Sequence, residues 1–471
     1  MKIISAHSFS QRMNIFLYSP AYFVLIGGLT ILSNVFCQEL FSYTVMLLLG
    51  MYICLFGRDL LPLLPIFICG YISPSLNNNP GFNANSVFSI SGGGLYLGAL
   101  LLGLAACLLY RLITDPVFGG RTFIAKKRKL LSGMLLLAAT YAISGLGSGQ
   151  WEEYGWRNLL FAFLQLVSIA GLYYLFSGAV RWDLAPQAYL YWTGTCVGYV
   201  LLAELLNIYL TANVIVDGAI LRHLIATGWG HYNSMGALFA MIIPMPFFLT
   251  GKGRYAGFAY VSGILFFVGL LFTCSRGSIL VGTLIFASSY ILSLYHSRHA
   301  RLQIAVHGSA LVLTLLLVIL FFDKLEQLFN VMGEIGLNSP ERTETYIEGM
   351  KQFLRFPIFG GSFFPVDFWP YAWAGLESFR TLFPPRWHNT FVQLLATGGI
   401  VCLIGYAVHR IQTVYLFIRN FSDKKLFAGL SIAAILLTSM VDCHFFNVGP
   451  VLLYSAILAI VEFQLGKNEK E

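Results

Sequence analysis

The chain has 471 residues, 57% of them hydrophobic and only 11% charged, with a formal net charge of +8. A water-soluble protein of this length has no means of covering so much apolar area with so little charge. Composition therefore excludes a soluble enzyme or binding module. The mean hydropathy is +0.74, and the apolar segments run to about 16–25 residues, the length of a membrane-crossing helix. The ten-residue alternation of a membrane barrel is absent. The fold class is all-α, a polytopic membrane protein.

In chain order, the hydropathy predicts helices over 14–36, 41–57, 60–74, 92–113, 130–148, 157–180, 188–211, 231–250, 255–275, 277–295, 302–322, 389–408, 425–441 and 447–465. Because the second and third are short and joined only by Gly57, Arg58 and Asp59, the expected count is about 12–14 spans. The first segment is too long for a signal-peptide core and has no small-residue cleavage site after it, so it reads as a retained helix. Placing the N-terminus in the cytoplasm puts 20 of the 29 basic residues in inside loops, among them the run "KKRK" at 126–129. The positive-inside rule then sets both termini in the cytoplasm. The charge is spread over loops rather than clustered on one soluble face, which argues against nucleic acid as a partner.

The longest loop, 323–388, falls outside, and a loop of that length is usually functional. Within it, "NSPERTETYIEGMKQFLRFP" has a helix start in Ser339, Pro340 and Glu341 and a stop at Phe356-Pro357. Tyr346, Ile347, Met350, Phe353 and Leu354 make an apolar stripe, so an amphipathic helix is expected on the outer face of the bundle. The aromatics of "SFFPVDFWPYAWAGLESF" suit the membrane–water interface. The chain thus divides into N-terminal helices (1–227), central helices (228–322), the outside loop (323–388) and C-terminal helices (389–471). The eight cysteines form no CxxC and read as small buried hydrophobes. There is no zinc spacing, Walker loop or dinucleotide fingerprint.

Three residues expected outside carry chemistry. Arg276, in "FTCSRGSIL", breaks the charge rule at the outer end of a span, where functional charges concentrate. Arg342 opens the loop helix, whose free N–H groups already favour an anion. His388 stands where the long loop re-enters the membrane. Each has a plain alternative: snorkelling for Arg276, a surface pair with Glu341 or Glu344 for Arg342, an interfacial hydrogen bond for His388. Together they point to an anionic substrate and proton transfer. Arg222, His223, His231, Arg380 and Arg386 also stand outside or near it and are further candidates for contacting that substrate, with loop solvation and interfacial anchoring as their plain alternatives.

The order of "SRGS" at 275–278, "ERTETYIEGMKQFLRFPIFGGSFF" and "HNTFVQLLATGGIVCLIGYAV" resembles the O-antigen ligase and polymerase superfamily. "GWGHYNSMGALFAMIIPM" at 228–245 is similar to that family's asparagine-bearing span. The resemblance covers about 228–410; "FGGS" replaces a common "FGvG", and the first 200 residues match in hydropathy only. It implies a GT-C-like membrane glycosyltransferase of the inner membrane that needs no metal or cofactor. The implied donor is an undecaprenyl-diphosphate-linked glycan at the periplasmic face, and the acceptor is a second glycan or the lipid A core. By the same resemblance Arg276 and Arg342 match the diphosphate-binding arginines and His388 the catalytic histidine, while Asn233 and Asn389 are expected to bind substrate beside Arg222, His231 and Arg386. The long aromatic loop inclines the choice of acceptor towards polymerase. The competing class, a lipid-linked glycan flippase or another transporter, would show charges in mid-span and inverted repeats; Glu204 is the one clear mid-span acid.

Overall fold

The computed structural model describes residues 2–70, 93–115, 128–179, 186–216, 219–227, 230–251, 253–296, 340–364, 387–419 and 423–468, with isolated positions between 301 and 319. The expected span 302–322, the Ser339 cap, the aromatic stretch from 365 and Arg380 and Arg386 fall wholly or largely outside them.

The helices are α1 (Lys2–Leu17), α2 (Pro20–Asn34), α3 (Glu39–Phe56), α4 (Leu63–Gly70), α5 (Gly94–Thr114), α6 (Leu131–Ala142), α7 (Gln150–Leu166), α8 (Leu172–Ala179) and α9 (Pro186–Thr211). A π turn, Val167–Gly171, joins α7 to α8. Two hairpins of two-residue strands follow, β1 (Ile215–Val216) with β2 (Ala219–Ile220) and β3 (Ala226–Thr227) with β4 (Gly230–His231). Then come α10 (Tyr232–Ile242), α11 (Pro244–Leu249), α12 (Ala256–Phe272), α13 (Arg276–His296), α14 (Pro340–Arg355), α15 (Thr390–Arg419), α16 (Asp423–Thr438) and α17 (Val448–Asn468). The protein is an all-α polytopic membrane protein. Among the described residues seven helices are long and apolar enough to cross a bilayer, or up to eight if a bent pair counts as one, and four shorter apolar helices accompany them.

The bent pair replaces the single first helix expected over 14–36. Its arms meet at 72°. Ser19, before Pro20, is extended at φ −98° and ψ 157°, because the proline ring disfavours the helical region for the residue preceding it. Pro20 lacks an N–H and so begins a helix rather than continuing one.

The chain folds as two compact units, each discontinuous in sequence. The first comprises Met1–Lys127, Leu175–Val331 and Leu426–Ala434. At its centre α10 and α11 are almost wholly buried. Glycines let neighbouring helices approach them, as small residues do in membrane bundles: a Cβ on Gly263 of α12 would lie 2.6 Å from the Phe247 ring of α11. Leu210, Leu280 and Ile291 are more than 60% exposed, the pattern of a surface meeting lipid rather than water.

The second unit comprises Arg128–Tyr174, Met332–Lys425 and Ile435–Glu471. Where α6 begins, Glu462 of α17 accepts from the Lys129 N–H at 2.5 Å and from the Tyr173 hydroxyl. The Arg128 guanidinium lies 3.8 Å above the Tyr174 ring. The last two residues of the "KKRK" run are thereby tied into the helices.

Candidate active site

The second unit is organised around a broken helix. The segment 389–408 was expected as one continuous span, but α15 carries a non-helical residue, Gly399, at φ 63° and ψ −160°. The rings of Phe391 and Tyr406 are 5.9 Å apart. In a straight helix fifteen residues would separate them by about 22 Å, so the chain folds sharply back at Gly399. The break frees backbone groups, and the turn after α14 satisfies them. Gly361 and Ser362 N–H donate to the carbonyls of Ala396 (2.8 Å) and Thr397 (3.0 Å), while Ile400 and Val401 N–H donate to Pro357 (2.9 Å) and Ile358 (3.2 Å). The turn is braced in its own right: Gly145 N–H donates to Phe359 O at 2.6 Å, and the Asn158 amide donates to Ser144 O and Ser362 Oγ, both at 2.9 Å. The "PIFGGS" and "TGG" motifs are thus the two halves of one joint.

The short arm of α15 begins beside the segment 439–442, which follows α16. Thr390 N–H donates to Ser439 O at 3.0 Å. Asn389 spends its whole side chain here: Nδ2 donates to Met440 O at 2.7 Å, and Oδ1 accepts from Phe391 and Val392 N–H at 2.8 and 3.2 Å, an N-cap. From α14, Arg342 donates to Val441 O at 3.4 Å and the Tyr346 hydroxyl donates to His388 O at 3.0 Å. Asp442 is 2% exposed. Its Oδ1 accepts from Cys443 N–H at 2.7 Å and lies 3.5 Å from His388 Nδ1. The imidazole keeps 38% of its surface. Nδ1 thus faces a buried carboxylate, and Nε2 stands across the ring from it.

Only part of the apolar stripe of α14 packs against the protein. Ile347 is 50% exposed and Leu354 73%. The packed face is Arg342, Tyr346 and Gly349, at the i, i+4, i+7 spacing of one helix side. A Cβ on Gly349 would lie 2.8 Å from the Trp387 ring and 2.6 Å from Val392.

In the first unit a second cluster forms at one end of α10, α12 and α13. Ser275 Oγ donates to Asn233 Oδ1 at 2.8 Å and is 3.0 Å from Ser278 Oγ. Gly236 makes room, since a Cβ there would lie 2.7 Å from Ser278 Cβ. Arg276 is the first residue of α13, where the helix dipole and free N–H groups favour an anion. His231 caps α10 by accepting from Asn233 N–H at 3.2 Å. Arg222 lies 5.4 Å from the Tyr232 ring.

Residues 261–407, from α12 into α15, match the family model described as O-Antigen ligase. The match spans 147 of the 471 residues and supports, over that stretch, a likeness to the O-antigen ligase and polymerase superfamily. No curated protein matches it.

The O-antigen ligase stretch holds both arginines and the histidine singled out from the sequence, and the structure brings Arg342 and His388 to one segment of the second unit. Arg276, Arg222, His231 and Asn233 belong to the first. Asn389 and His231, expected to bind substrate, have their described contacts as helix caps, and Asn233 anchors the "SRGS" turn. Arg386 lies outside the described residues. Sequence reasoning missed Asp442 and Tyr346. Asp442 had a signal: an acid in "SMVDCHFFN" directly after an apolar helix, the same irregularity that drew attention to Arg276.

Proposed function

We propose that the protein transfers a glycan from an undecaprenyl-diphosphate carrier to an acceptor hydroxyl at the periplasmic face of the inner membrane. The observation that carries this reading is the His388–Asp442 pair with Arg342 on the adjoining face of α14. His388 Nε2 takes the acceptor proton as the acceptor oxygen bonds to the anomeric carbon. The bond from that carbon to the carrier phosphate breaks, and the lipid diphosphate leaves with its electron pair and growing negative charge. Asp442 orients the imidazole and favours the imidazolium as it forms, the role a buried carboxylate plays beside a catalytic histidine. Arg342 meets the developing phosphate charge; a guanidinium stays protonated and grips two oxygens. By resemblance of the "SRGS" motif alone, Arg276 is a phosphate-binding arginine as well. The acceptor is a second lipid-linked glycan or the lipid A core, with polymerisation favoured by the length of the aromatic loop. The chemistry asks for no metal or nucleotide sugar.

The test uses purified full-length protein, an undecaprenyl-diphosphate-linked glycan and an acceptor glycan, with donor binding and transfer measured separately. His388→Ala is expected to bind donor like the parent and to transfer about 10²–10⁴-fold more slowly, the usual contribution of a general base. Transfer at the parent rate would leave His388 an interfacial hydrogen-bonding residue and remove the mechanism.

A further inference from the structure

His388 has φ 51°, a left-handed backbone that residues with a Cβ seldom adopt and keep only when their surroundings over-determine it. Three contacts hold it. On one side the buried Trp387 gives its N–H to Gln393 Oε1 at 2.9 Å. On the other, Asn389 is fixed to Met440 O. The third acts on the His388 carbonyl. His388 precedes the N-cap Asn389, whose own carbonyl takes the first helical bond from Gln393 N–H and whose Oδ1 caps Val392 N–H, so the His388 carbonyl has no partner within the helix. The Tyr346 hydroxyl supplies that partner, donating at 3.0 Å.

Tyr346 comes from a different element, α14, and the glycine one turn later lets that element approach closely enough for the contact. Burial raises the Tyr346 phenol pKa, with Arg342 opposing and Asp442 and Cys443 adding to the rise, so the hydroxyl stays a donor across neutral pH. Arg342 and Tyr346 stand one turn apart on the same rigid helix.

We infer that Tyr346 is a positioning residue for the proposed transfer: by holding the His388 carbonyl it fixes the left-handed turn that sets the imidazole against Asp442. α14 thereby links the arginine that meets the phosphate to the backbone that aims the base. The inference rests on the glycan-transfer reading for its kinetic consequence but not for its structural one.

The experiment compares the parent, Tyr346→Phe and Asp442→Asn, each full-length in detergent micelles. Tyr346→Phe removes one oxygen and keeps the ring, so the packing of α14 survives. The first readout is the rate at which diethyl pyrocarbonate modifies His388 at fixed pH, followed by mass spectrometry of its peptide. Tyr346→Phe is expected to change that rate severalfold, in the same direction as Asp442→Asn. The second readout is kinetic: kcat falls about tenfold, the scale of one lost hydrogen bond, while KM for the lipid-diphosphate donor holds. A change in Asp442→Asn alone, with Tyr346→Phe modified at the parent rate, overturns the inference and leaves the His388–Asp442 pair standing. No change in either variant removes both. A parent without transfer activity refutes the glycan-transfer reading, while the modification rates still decide the role of Tyr346.

Discussion

Burying a carboxylate is costly unless hydrogen bonds and a countercharge offset it. Asp442 has the Cys443 N–H and faces His388. Asp442→Asn keeps the shape and removes the charge, so the protein should fold while the imidazolium loses its support. Transfer is expected to fall about 10²-fold or more, with donor binding nearly unchanged, measured in the same purified assay as His388→Ala. The arginines should show a different signature. Lysine preserves charge but not the planar fork that grips two phosphate oxygens. Arg342→Lys and Arg276→Lys are each expected to lose most transfer while accumulating normally in the membrane. Near-full activity in both would replace the guanidinium clamp by general surface charge. At this scale the candidate histidine and arginines were readable from residue type and position, because a charge at a membrane-helix end is conspicuous. Asp442 and Tyr346 were not singled out, because their significance lies in contacts with residues distant in sequence.

The break in α15 is a property of the element. In "QLLATGGIVCLIGYAV" only Thr397 and three glycines interrupt the apolar run, and hydropathy therefore gives a single span. The groups freed at 396, 397, 400 and 401 are satisfied by residues 357–362, a non-local arrangement that periodicity does not register. Gly399→Ala tests the joint. Its φ of 63° is unfavourable for a Cβ, and that atom would lie 2.7 Å from Gly360 N. With ψ −160° this backbone lies in a region that essentially only glycine adopts, a cost of about 1–3 kcal/mol for a residue with a Cβ, and the crowding adds about 1–3 kcal/mol more. The variant should melt several degrees below the parent in detergent and lose transfer with it. An unchanged Tm would show that the joint carries no strain-sensitive contact. The apolar stripe on α14 was legible as well, but not that Arg342 and Gly349 pack beside its Tyr346 while Ile347 and Leu354 stay exposed, because those contacts come from distant segments.

For the whole molecule, the charge distribution predicts the "KKRK" loop in the cytoplasm and the 323–388 loop in the periplasm. In a background with the eight native cysteines replaced, Gly375→Cys should react with an impermeant maleimide in intact spheroplasts and Lys127→Cys only after the membrane is opened. The reverse pattern would invert the topology and put His388 on the wrong side for a periplasmic acceptor. The sequence by itself determined the class of fold, since with 11% charged residues only a chain dissolved in lipid covers its apolar surface. It also determined which arginines and which histidine to suspect, because ionised groups at the ends of apolar segments are too costly to be placed carelessly. Only the tertiary structure decided that α15 folds back on itself, that α14 turns Arg342, Tyr346 and Gly349 inward, and that Asp442 stands behind His388. The physical reason is the same in each case: these choices are made by hydrogen bonds and close packing between segments far apart in the chain, and such contacts leave no periodic trace in either segment alone.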